Sequence, residues 1–235
     1  MDTYNYFCTM KRKISPSEED YLKAIYHKTT ADAPVVSTTL LAEEMGAKPS
    51  SVTDMVQRLS EKALVEYQKY KGVKLSDTGN TRALSIIRKH RLWEVFLVNE
   101  LHFSWDQVHD IAEQLEHIQS EALTDRLAAF LGHPKTDPHG DPIPTKEGNI
   151  LIQTKTLLEL APLNTPLVCV GVEDSSAAFL QFLDKCGIGL GVAIEILEKE
   201  IFDGSLLVSI DHKTQRISSL IAQNLYVNQD QKTLK

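Results

Sequence analysis

The chain has 235 residues, a net charge of −7, 42% apolar and 24% charged residues, all ordinary values for a globular protein. No apolar run is long enough to span a membrane, and the polar first 14 residues lack the apolar core of a secretory signal. The negative charge excludes indiscriminate coating of nucleic acid but allows one local DNA-binding face. Three cysteines without a CxxC pair predict a cytoplasmic protein without disulfides.

The first 84 residues are predicted to form three helices followed by a hairpin. Pro16 and Pro49 stand where the first turn of a helix accepts proline. Ser37 would begin a short helix between them, and Gly46 would end it. Two short strands are predicted around a tight turn at Lys71-Gly72. Short helices followed by a hairpin are the winged helix-turn-helix pattern.

The start of the third helix is the part of such a unit that enters the major groove of DNA. Short hydroxyl side chains and helix N–H groups there suit phosphate oxygens, and cations at the hairpin tip suit phosphate or the minor groove. Helix capping alone would select the same residue types, and winged helices also mediate protein contacts, so both interpretations stay open. The predicted DNA-binding residues are Lys48, Pro49, Ser50, Ser51, Thr53, Gln57, Arg58, Lys69 and Lys71.

The middle of the chain has apolar residues at helical spacing. This spacing predicts three helices, at about 77–100, 104–119 and 120–131. A linker or ordered loop rich in proline and glycine follows at 133–148. Beyond a short predicted helix at 151–160, the apolar period falls towards two, which is typical of strands. The predicted strands, which would form a small β-barrel with a helix at 177–185, are 167–172, 193–197, 206–210 and 216–218.

Histidine and carboxylate residues recur at helical spacing on two of these helices. His90 and Glu94 are four residues apart, and His109 and Glu113 repeat that spacing. Because residues three and four apart share a helix face, one stripe would carry four potential ligands. These four are His109, Glu113, Glu116 and His117. Such a set, without sulfur, suits Mn(II) or Fe(II), while a solvated acidic face with exposed histidines is the alternative interpretation.

Six segments carry a resemblance to a known family. They are Glu19-Asp20-Tyr21-Leu22, Pro49-Ser50-Ser51-Val52-Thr53, Leu75-Ser76-x2-Gly79, Arg88-Lys89-His90-Arg91-Leu92-x-Glu94, Val108-His109-x3-Glu113-x2-Glu116-His117 and Pro138-His139-Gly140-x-Pro142-Ile143-Pro144. In this order they resemble the iron- and manganese-dependent repressors of the diphtheria toxin repressor and manganese transport regulator family. The resemblance extends over nearly the whole chain from about Ile14.

The resemblance implies a mainly α fold with a small β domain. A winged helix-turn-helix DNA-binding domain would span residues 1–84, a helical dimerisation and metal-binding domain 85–150, and an SH3-like β-barrel of the FeoA type 151–235. The implied function is a metal-dependent repressor of metal-ion homeostasis that binds a palindromic double-stranded DNA operator as a homodimer. Neither a membrane nor a small organic substrate is an expected partner. The predicted dimer surface consists of Trp93, Phe96, Leu97 and Leu101.

The resemblance also implies two metal sites. The primary site would consist of Asp20, Glu113, Glu116 and His117, and it would fix the DNA-reading domain relative to the dimer axis. The second site would draw on the helical domain, on the loop and, as in three-domain manganese members, on the C-terminal domain. Its implied ligands are His90, Glu94, His109, Asp137, His139 and one of Glu173 and Asp174. Carboxylates at positions 20 and 113 favour Mn(II), because iron-type members have Met and Cys there; Fe(II) is the alternative.

Two other classes of function deserve comparison with this prediction. Helices that carry His and Glu also form dimetal enzymes, but the winged helix argues against that class. The sequence has no nucleophile elbow, P-loop or HExxH motif, and therefore no enzymatic activity is predicted. A regulator that binds DNA constitutively is the second alternative, and the near-complete ligand set argues against it.

Overall fold

The computed structural model describes residues 14–151 and 154–229. The chain divides into two compact units, Met1–Ile87 and Arg88–Lys235. Among the described residues, no helix is long and apolar enough to cross a membrane. The expectations for residues 1–13 lie outside this description, and the three-domain boundaries stay a prediction.

In its described residues up to position 75, the first unit contains three helices and a two-stranded antiparallel hairpin in the predicted order. A capping box begins the first helix: the Ser15 hydroxyl accepts the Glu18 N–H at 3.3 Å, and the Glu18 carboxylate accepts the Ser15 N–H at 2.8 Å. The elements are α1 (Pro16–Lys28), α2 (Thr38–Glu44), α3 (Pro49–Glu61), β1 (Val65–Gln68) and β2 (Gly72–Leu75).

One apolar core holds the first unit together. Leu22 and Ile25 from α1 meet Val52, Val56 and Leu59 from α3, and all five side chains are fully buried. The spacing of the α3 residues puts them on one stripe, so the opposite face of that helix is left to solvent. The DNA-reading face predicted from the sequence is that solvent-facing side.

The helical part of the second unit differs from the prediction in one helix. Its helices are α4 (Asp77–Asn99), which begins in the first unit, α5 (His109–Leu115) and α6 (Glu121–Phe130). The helix predicted at 104–119 was too long at both ends. Residues 104–108 form turns instead, with the Gln107 N–H bonded to the Ser104 carbonyl, because side chains of this segment bind the C-terminal domain.

The C-terminal domain is built on a six-stranded antiparallel sheet. The strands are β3 (Thr156–Leu157), β4 (Leu167–Val172), β5 (Ala193–Lys199), β6 (Leu206–Ile210), β7 (Lys213–Ile217) and β8 (Leu225–Gln229). Their spatial order is β3-β8-β4-β5-β6-β7. Two helices accompany the sheet, α7 (Ala177–Lys185) and the short α8 (Ser219–Ala222). The described strands leave β3 and β7 as separate edges, so the sheet is open where a closed barrel was predicted.

One further prediction for this domain was wrong, and one strand was missed. The short helix predicted at 151–160 is, in its described part, strand β3 followed by a single 3₁₀ turn at Leu158–Leu160. Its apolar spacing is misleading because only Leu158 is fully buried in the core of the sheet, whereas Leu160 is 68% exposed. Strand β8 was not predicted, although buried Leu225 and Val227 alternate as expected for a strand.

Candidate functional site

The candidate metal ligands of the second unit come from α4, α5 and the loop at 133–148. His90 and Glu94 lie one turn apart on α4 and are 8% and 2% exposed. His139 lies in the loop and is 5% exposed, whereas His109 at the start of α5 is exposed. The structure therefore buries most of the predicted second site within the helical region.

Glu94 stands at the centre of three imidazole rings. Its Oε1 atom lies 3.0 Å from Nε2 of His90, 3.6 Å from Nδ1 of His109 and 3.7 Å from Nδ1 of His139. The three histidines come from three different segments of the chain. One buried carboxylate thus connects α4, α5 and the loop.

A second group of ligand atoms surrounds the other side of His90. Its Nδ1 atom lies 2.7 Å from Oε2 of the fully buried Glu116 and 4.0 Å from Oε1 of Glu113. The Glu113 Oε1 atom is also 3.7 Å from Nε2 of His109. His90, His109 and Glu113 offer ligand atoms within 4.8 Å of one another. The structure thus places Glu113 beside residues that were predicted for the other site.

The loop presents its carboxylate and imidazole through its own backbone. Asp137 Oδ1 accepts the backbone N–H groups of His139 at 2.8 Å and Asp141 at 2.9 Å. With Glu94, Asp137 and His139 form a fully buried group whose ligand atoms lie within 4.8 Å of one another. Arg91 on α4 holds the loop from outside, with its Nη1 donating to the Pro142 carbonyl at 2.5 Å and its Nε 3.4 Å from Asp137 Oδ2.

Burial and charge shift the pKa values of this group in opposite directions. Burial favours a higher pKa for Glu94, but hydrogen bonds from the three imidazoles outweigh it and lower the pKa well below 4.5. Burial raises the pKa of Asp137 to about 6, and neighbouring carboxylates add to this effect, against the charge of Arg91. Burial lowers the pKa of His139, but the Glu94 carboxylate dominates and raises it. The centre is therefore a buried group of carboxylates and imidazoles in which positive charge next to Glu94 is favoured.

Four further predicted ligands come from other parts of the chain. Asp20 is half-buried on α1 of the first unit, and His117 is half-buried just after α5 of the second. At the end of β4, Glu173 accepts the Tyr226 hydroxyl at 2.5 Å, and Asp174 accepts the Ser176 N–H at 2.8 Å. Neither Glu173 nor Asp174 belongs to the groups of potential metal ligands found among the described residues.

The described ligand atoms are imidazole nitrogens and carboxylate oxygens. The described cysteines, Cys169 and Cys186, lie in the C-terminal domain, and burial raises the pKa of the Cys169 thiol to about 11. A protonated thiol is a poor ligand, so this chemistry fits a hard or intermediate divalent ion such as Mn(II) or Fe(II). The sequence assigned no function to Arg91 or Trp105, because their contacts with the loop at 133–148 form only in the folded chain.

The predicted DNA-reading residues lie on the surface of the first unit. Proline at the first position of α3 follows Lys48, and the Thr53 hydroxyl donates to the Pro49 carbonyl at 3.0 Å. At the turn between β1 and β2, Tyr70 is 93% exposed, and Lys69 Nζ lies 5.2 Å from its ring centre. Thr53 is half-buried, and the exposed members of the predicted set are Lys48, Pro49, Ser50, Ser51, Gln57, Arg58, Lys69 and Lys71. Their contact with DNA stays a prediction.

Only part of the apolar face predicted for dimerisation is exposed to solvent. Trp93 and Phe96 are half-buried and pack edge to face, with ring centres 5.8 Å apart. Phe96 also contacts Phe130, which is 66% exposed, and Leu101 is 52% exposed. Leu97 is 3% exposed, so its inclusion in the surface was wrong.

Comparison with known proteins identifies the family of this chain. Residues 13–73 match the family model of the iron dependent repressor N-terminal DNA binding domain, and residues 76–145 match its metal binding and dimerisation domain. The HTH-type transcriptional regulator MntR of Oceanobacillus iheyensis is 32% identical over 127 residues, 52% of this chain and 82% of that regulator. The chain belongs to the iron-dependent repressor family. Residues 156–229 also match the FeoA domain.

Other members of the iron-dependent repressor family match this chain over different lengths. The diphtheria toxin repressor of Corynebacterium jeikeium is 31% identical over 133 residues, 57% of this chain. The match spans about half that repressor, 55% of its length. A solved manganese-dependent transcriptional repressor in complex with manganese is 36% identical, with a TM-score of 0.78, covering 91% of this chain and all of that one.

These findings decide several predictions. The resemblance to the metal-dependent repressors is confirmed, and so is the fold class of helix-turn-helix, helical metal domain and FeoA-type domain, apart from the open sheet. The family consists of transcriptional regulators rather than enzymes, as predicted.

Gly140 should be required for the loop at 133–148 to pack against β4. Its φ is +87°, and an added Cβ would overlap the Val170 carbonyl and the Gly171 Cα of β4. We expect Gly140→Ala to lower the free energy of unfolding by about 3 kcal/mol, since left-handed strain and steric overlap add. Chemical denaturation of the full chain measures this change.

Gly132→Ala is the matched control for that experiment. Gly132 has a φ of +73°, but a Cβ there meets no atom within 4 Å. Its substitution should cost only the left-handed strain, about 1 kcal/mol. Equal losses in the two variants would show that the approach of the loop to β4 does not depend on glycine.

Proposed function

We propose that this chain is a repressor that binds a palindromic operator as a homodimer when Mn(II) is bound. The proposal depends above all on the convergence of three imidazoles on the buried Glu94 carboxylate, with Asp137 beside them. Burying carboxylates away from water is costly unless positive charge is nearby, and a bound divalent ion would supply such charge to this group. The absence of sulfur from the described ligand groups supports Mn(II), with Fe(II) as the second candidate.

We assign ligands to two sites within this proposal. The second site would use His90, Glu94, His109, Asp137 and His139, whose geometry supports the assignment. The primary site would use Asp20, Glu113, Glu116 and His117, as the family resemblance implies. Glu113 lies close enough to His90 and His109 to serve the second site as well. Glu173 and Asp174 receive no ligand role, because neither belongs to a group of ligand atoms close enough to share an ion among the described residues.

The proposed switch depends on charge and on geometry. The carboxylates and imidazoles assigned above would hold a divalent ion, whose positive charge would offset the carboxylates and fix the ligand-bearing segments relative to one another. Asp20 on α1 would thereby link the DNA-reading unit to the ligands of α5. In a dimer, two reading units fixed in this way would match the half-sites of a palindrome. By linkage, operator DNA would raise metal affinity by the same factor as metal raises DNA affinity.

Family relatives support both candidate metals. One solved relative is a manganese-dependent repressor in complex with manganese. Other relatives are named iron-dependent repressors, and another solved relative contains Zn²⁺. Nitrogen and oxygen ligands bind several first-row ions, so availability and coordination geometry must select the metal.

Operator binding at fixed salt, first with chelator and then with Mn(II), Fe(II) or Zn(II), tests the proposed function. The DNA probe would be the promoter of a metal-transporter gene from the same genome. We expect binding to be at least about 10-fold tighter with Mn(II) than with chelator, within the usual range of allosteric coupling. Fixed salt is necessary because phosphate contacts make affinity depend on ionic strength.

Each arm of that experiment has a defined meaning. Tight binding with Fe(II) but not with Mn(II) would reassign the metal and keep the switch. Equal binding with chelator and with every metal would contradict metal control. Ser51→Glu provides the DNA control, because a negative charge on the exposed start of α3 should repel phosphate and weaken binding under all conditions.

A further inference from the structure

We propose that Trp105, anchored by Asp184 of the C-terminal domain, is a positioning residue for the metal ligand His139. The proposal rests on the proposed function, in which His139 is a ligand. It adds that the C-terminal domain takes part in metal binding by holding the orientation of this imidazole, without itself donating a ligand atom. Both partners of the anchor lie in the second unit.

The Trp105 carbonyl selects the tautomer of the neutral His139 ring. Nε2 of His139 lies 2.8 Å from the Trp105 carbonyl oxygen. Because a carbonyl oxygen only accepts hydrogen bonds, Nε2 must carry the proton. In the neutral ring the lone pair is then on Nδ1, the atom 3.7 Å from Glu94 Oε1. Ligand histidines commonly donate their second N–H in this way, which fixes the tautomer and the ring orientation.

The Trp105 ring adds a second constraint on the same imidazole. The two rings are nearly parallel, with an interplanar angle of 15° and ring centres 6.2 Å apart. His139 is 5% exposed and Trp105 is half-buried beside it, so the imidazole has little room to rotate away. Trp105 therefore contacts His139 through both its backbone and its indole.

The C-terminal domain fixes Trp105 in turn. The indole Nε1–H donates to Asp184 Oδ1 on α7 at 3.1 Å, and the ring packs against the core of the sheet. The neighbouring Asp106 accepts a hydrogen bond from Gln181 Nε2, also on α7, at 2.7 Å. These two bonds attach the turn before α5 to α7. A shift of α7 would move the carbonyl that holds His139.

The backbone of His139 is held by the same domain. Its carbonyl accepts the Val172 N–H of β4 at 3.0 Å, one residue before the close approach of Gly140 to that strand. The main chain of the ligand is thus held by β4 and its ring by Trp105. The C-terminal domain contacts the metal centre through both routes, although Glu173 and Asp174 are engaged elsewhere.

Calorimetric titration of the full chain with Mn(II) alone tests this role. Trp105→Phe keeps an aromatic ring and the backbone carbonyl but removes the Nε1–H donor, and Asp184→Ala removes its acceptor. We expect each variant to bind Mn(II) at the His139 site about 10-fold more weakly, as is usual when a partner of a ligand is lost. Asp184→Asn keeps an acceptor oxygen and should restore affinity to within about 3-fold of the natural chain.

Controls separate positioning from a general effect on folding. Lys185→Ala changes an exposed residue on the same helix and should leave affinity unchanged. Adding Asp184→Ala to His139→Ala should weaken Mn(II) binding no further, because the anchor acts only through His139. The chain has two tryptophans, so in a Trp93→Phe background Trp105 emission should respond to Mn(II), and this response should diminish with Asp184→Ala.

The outcomes distinguish this proposal from the proposed function. If His139→Ala binds Mn(II) as the natural chain does, the ligand assignment itself is wrong. If His139→Ala is weakened while Trp105→Phe and Asp184→Ala bind normally, the site stands and the positioning role is overturned. A further loss when Asp184→Ala is added to His139→Ala would also overturn it, because the anchor would then act on the fold rather than on the ligand.

Discussion

Replacing Glu94 by glutamine is expected to remove most Mn(II) binding at the second site and, with it, most of the effect of the metal on DNA affinity. Glu94 is 2% exposed, and its Oε1 is the common neighbour of His90, His109 and His139. Losing an outer partner of a ligand already costs about 10–100-fold in affinity, so losing this central charge should cost more than about 100-fold. Calorimetric titration with Mn(II) and operator binding at fixed salt measure the two effects.

Glutamine is the informative replacement because it keeps the volume of the buried side chain. Glu100→Gln, which changes an exposed carboxylate just beyond α4, serves as the control and should bind Mn(II) normally. A thermal melt of each metal-free variant would verify that the fold is retained. Normal Mn(II) affinity in a folded Glu94→Gln chain would mean that the three imidazoles surround a structural carboxylate and not a metal ligand.

Asp20→Ala should separate metal binding from DNA binding. Under the proposed function Asp20 is the ligand that α1 of the DNA-reading unit supplies, while the others lie in the second unit. Without it, the ratio of operator affinities with Mn(II) and with chelator should fall from the expected 10-fold or more to about one. The second site, which draws no ligand from the first unit, should still take up Mn(II). Operator binding and calorimetry on the same preparation test both expectations.

Asp32→Ala is the matched control for charge, because Asp32 is an exposed carboxylate in the loop that follows α1. It should preserve the full response of DNA binding to Mn(II). Should Asp20→Ala also preserve that response, the coupling through α1 would be wrong, even if every ligand of the second unit were correct.

Helical spacing was sufficient to predict most of the ligand-bearing faces. His90 and Glu94 are one turn apart on α4, as their spacing of four requires, and α1 begins at Pro16, the residue predicted for the first turn of a helix. Local patterns succeed here because a helix places residues three and four apart on one face whatever the rest of the chain does. The same reasoning failed at 104–119, where the side chains of Trp105 and Asp106 bond to α7 and the chain forms turns.

The sequence by itself determined the family, the order of the elements in the first unit and the chemical type of the candidate ligands, because motifs and periodicity are properties of neighbouring residues. Only the tertiary structure decided that Glu94 is shared by three imidazoles, that Arg91 holds the loop and that Trp105 holds His139. It also decided that Glu113 lies beside His90 and that the sheet is open. These features depend on contacts between segments distant in sequence, and no local spacing encodes the distances that packing sets between them.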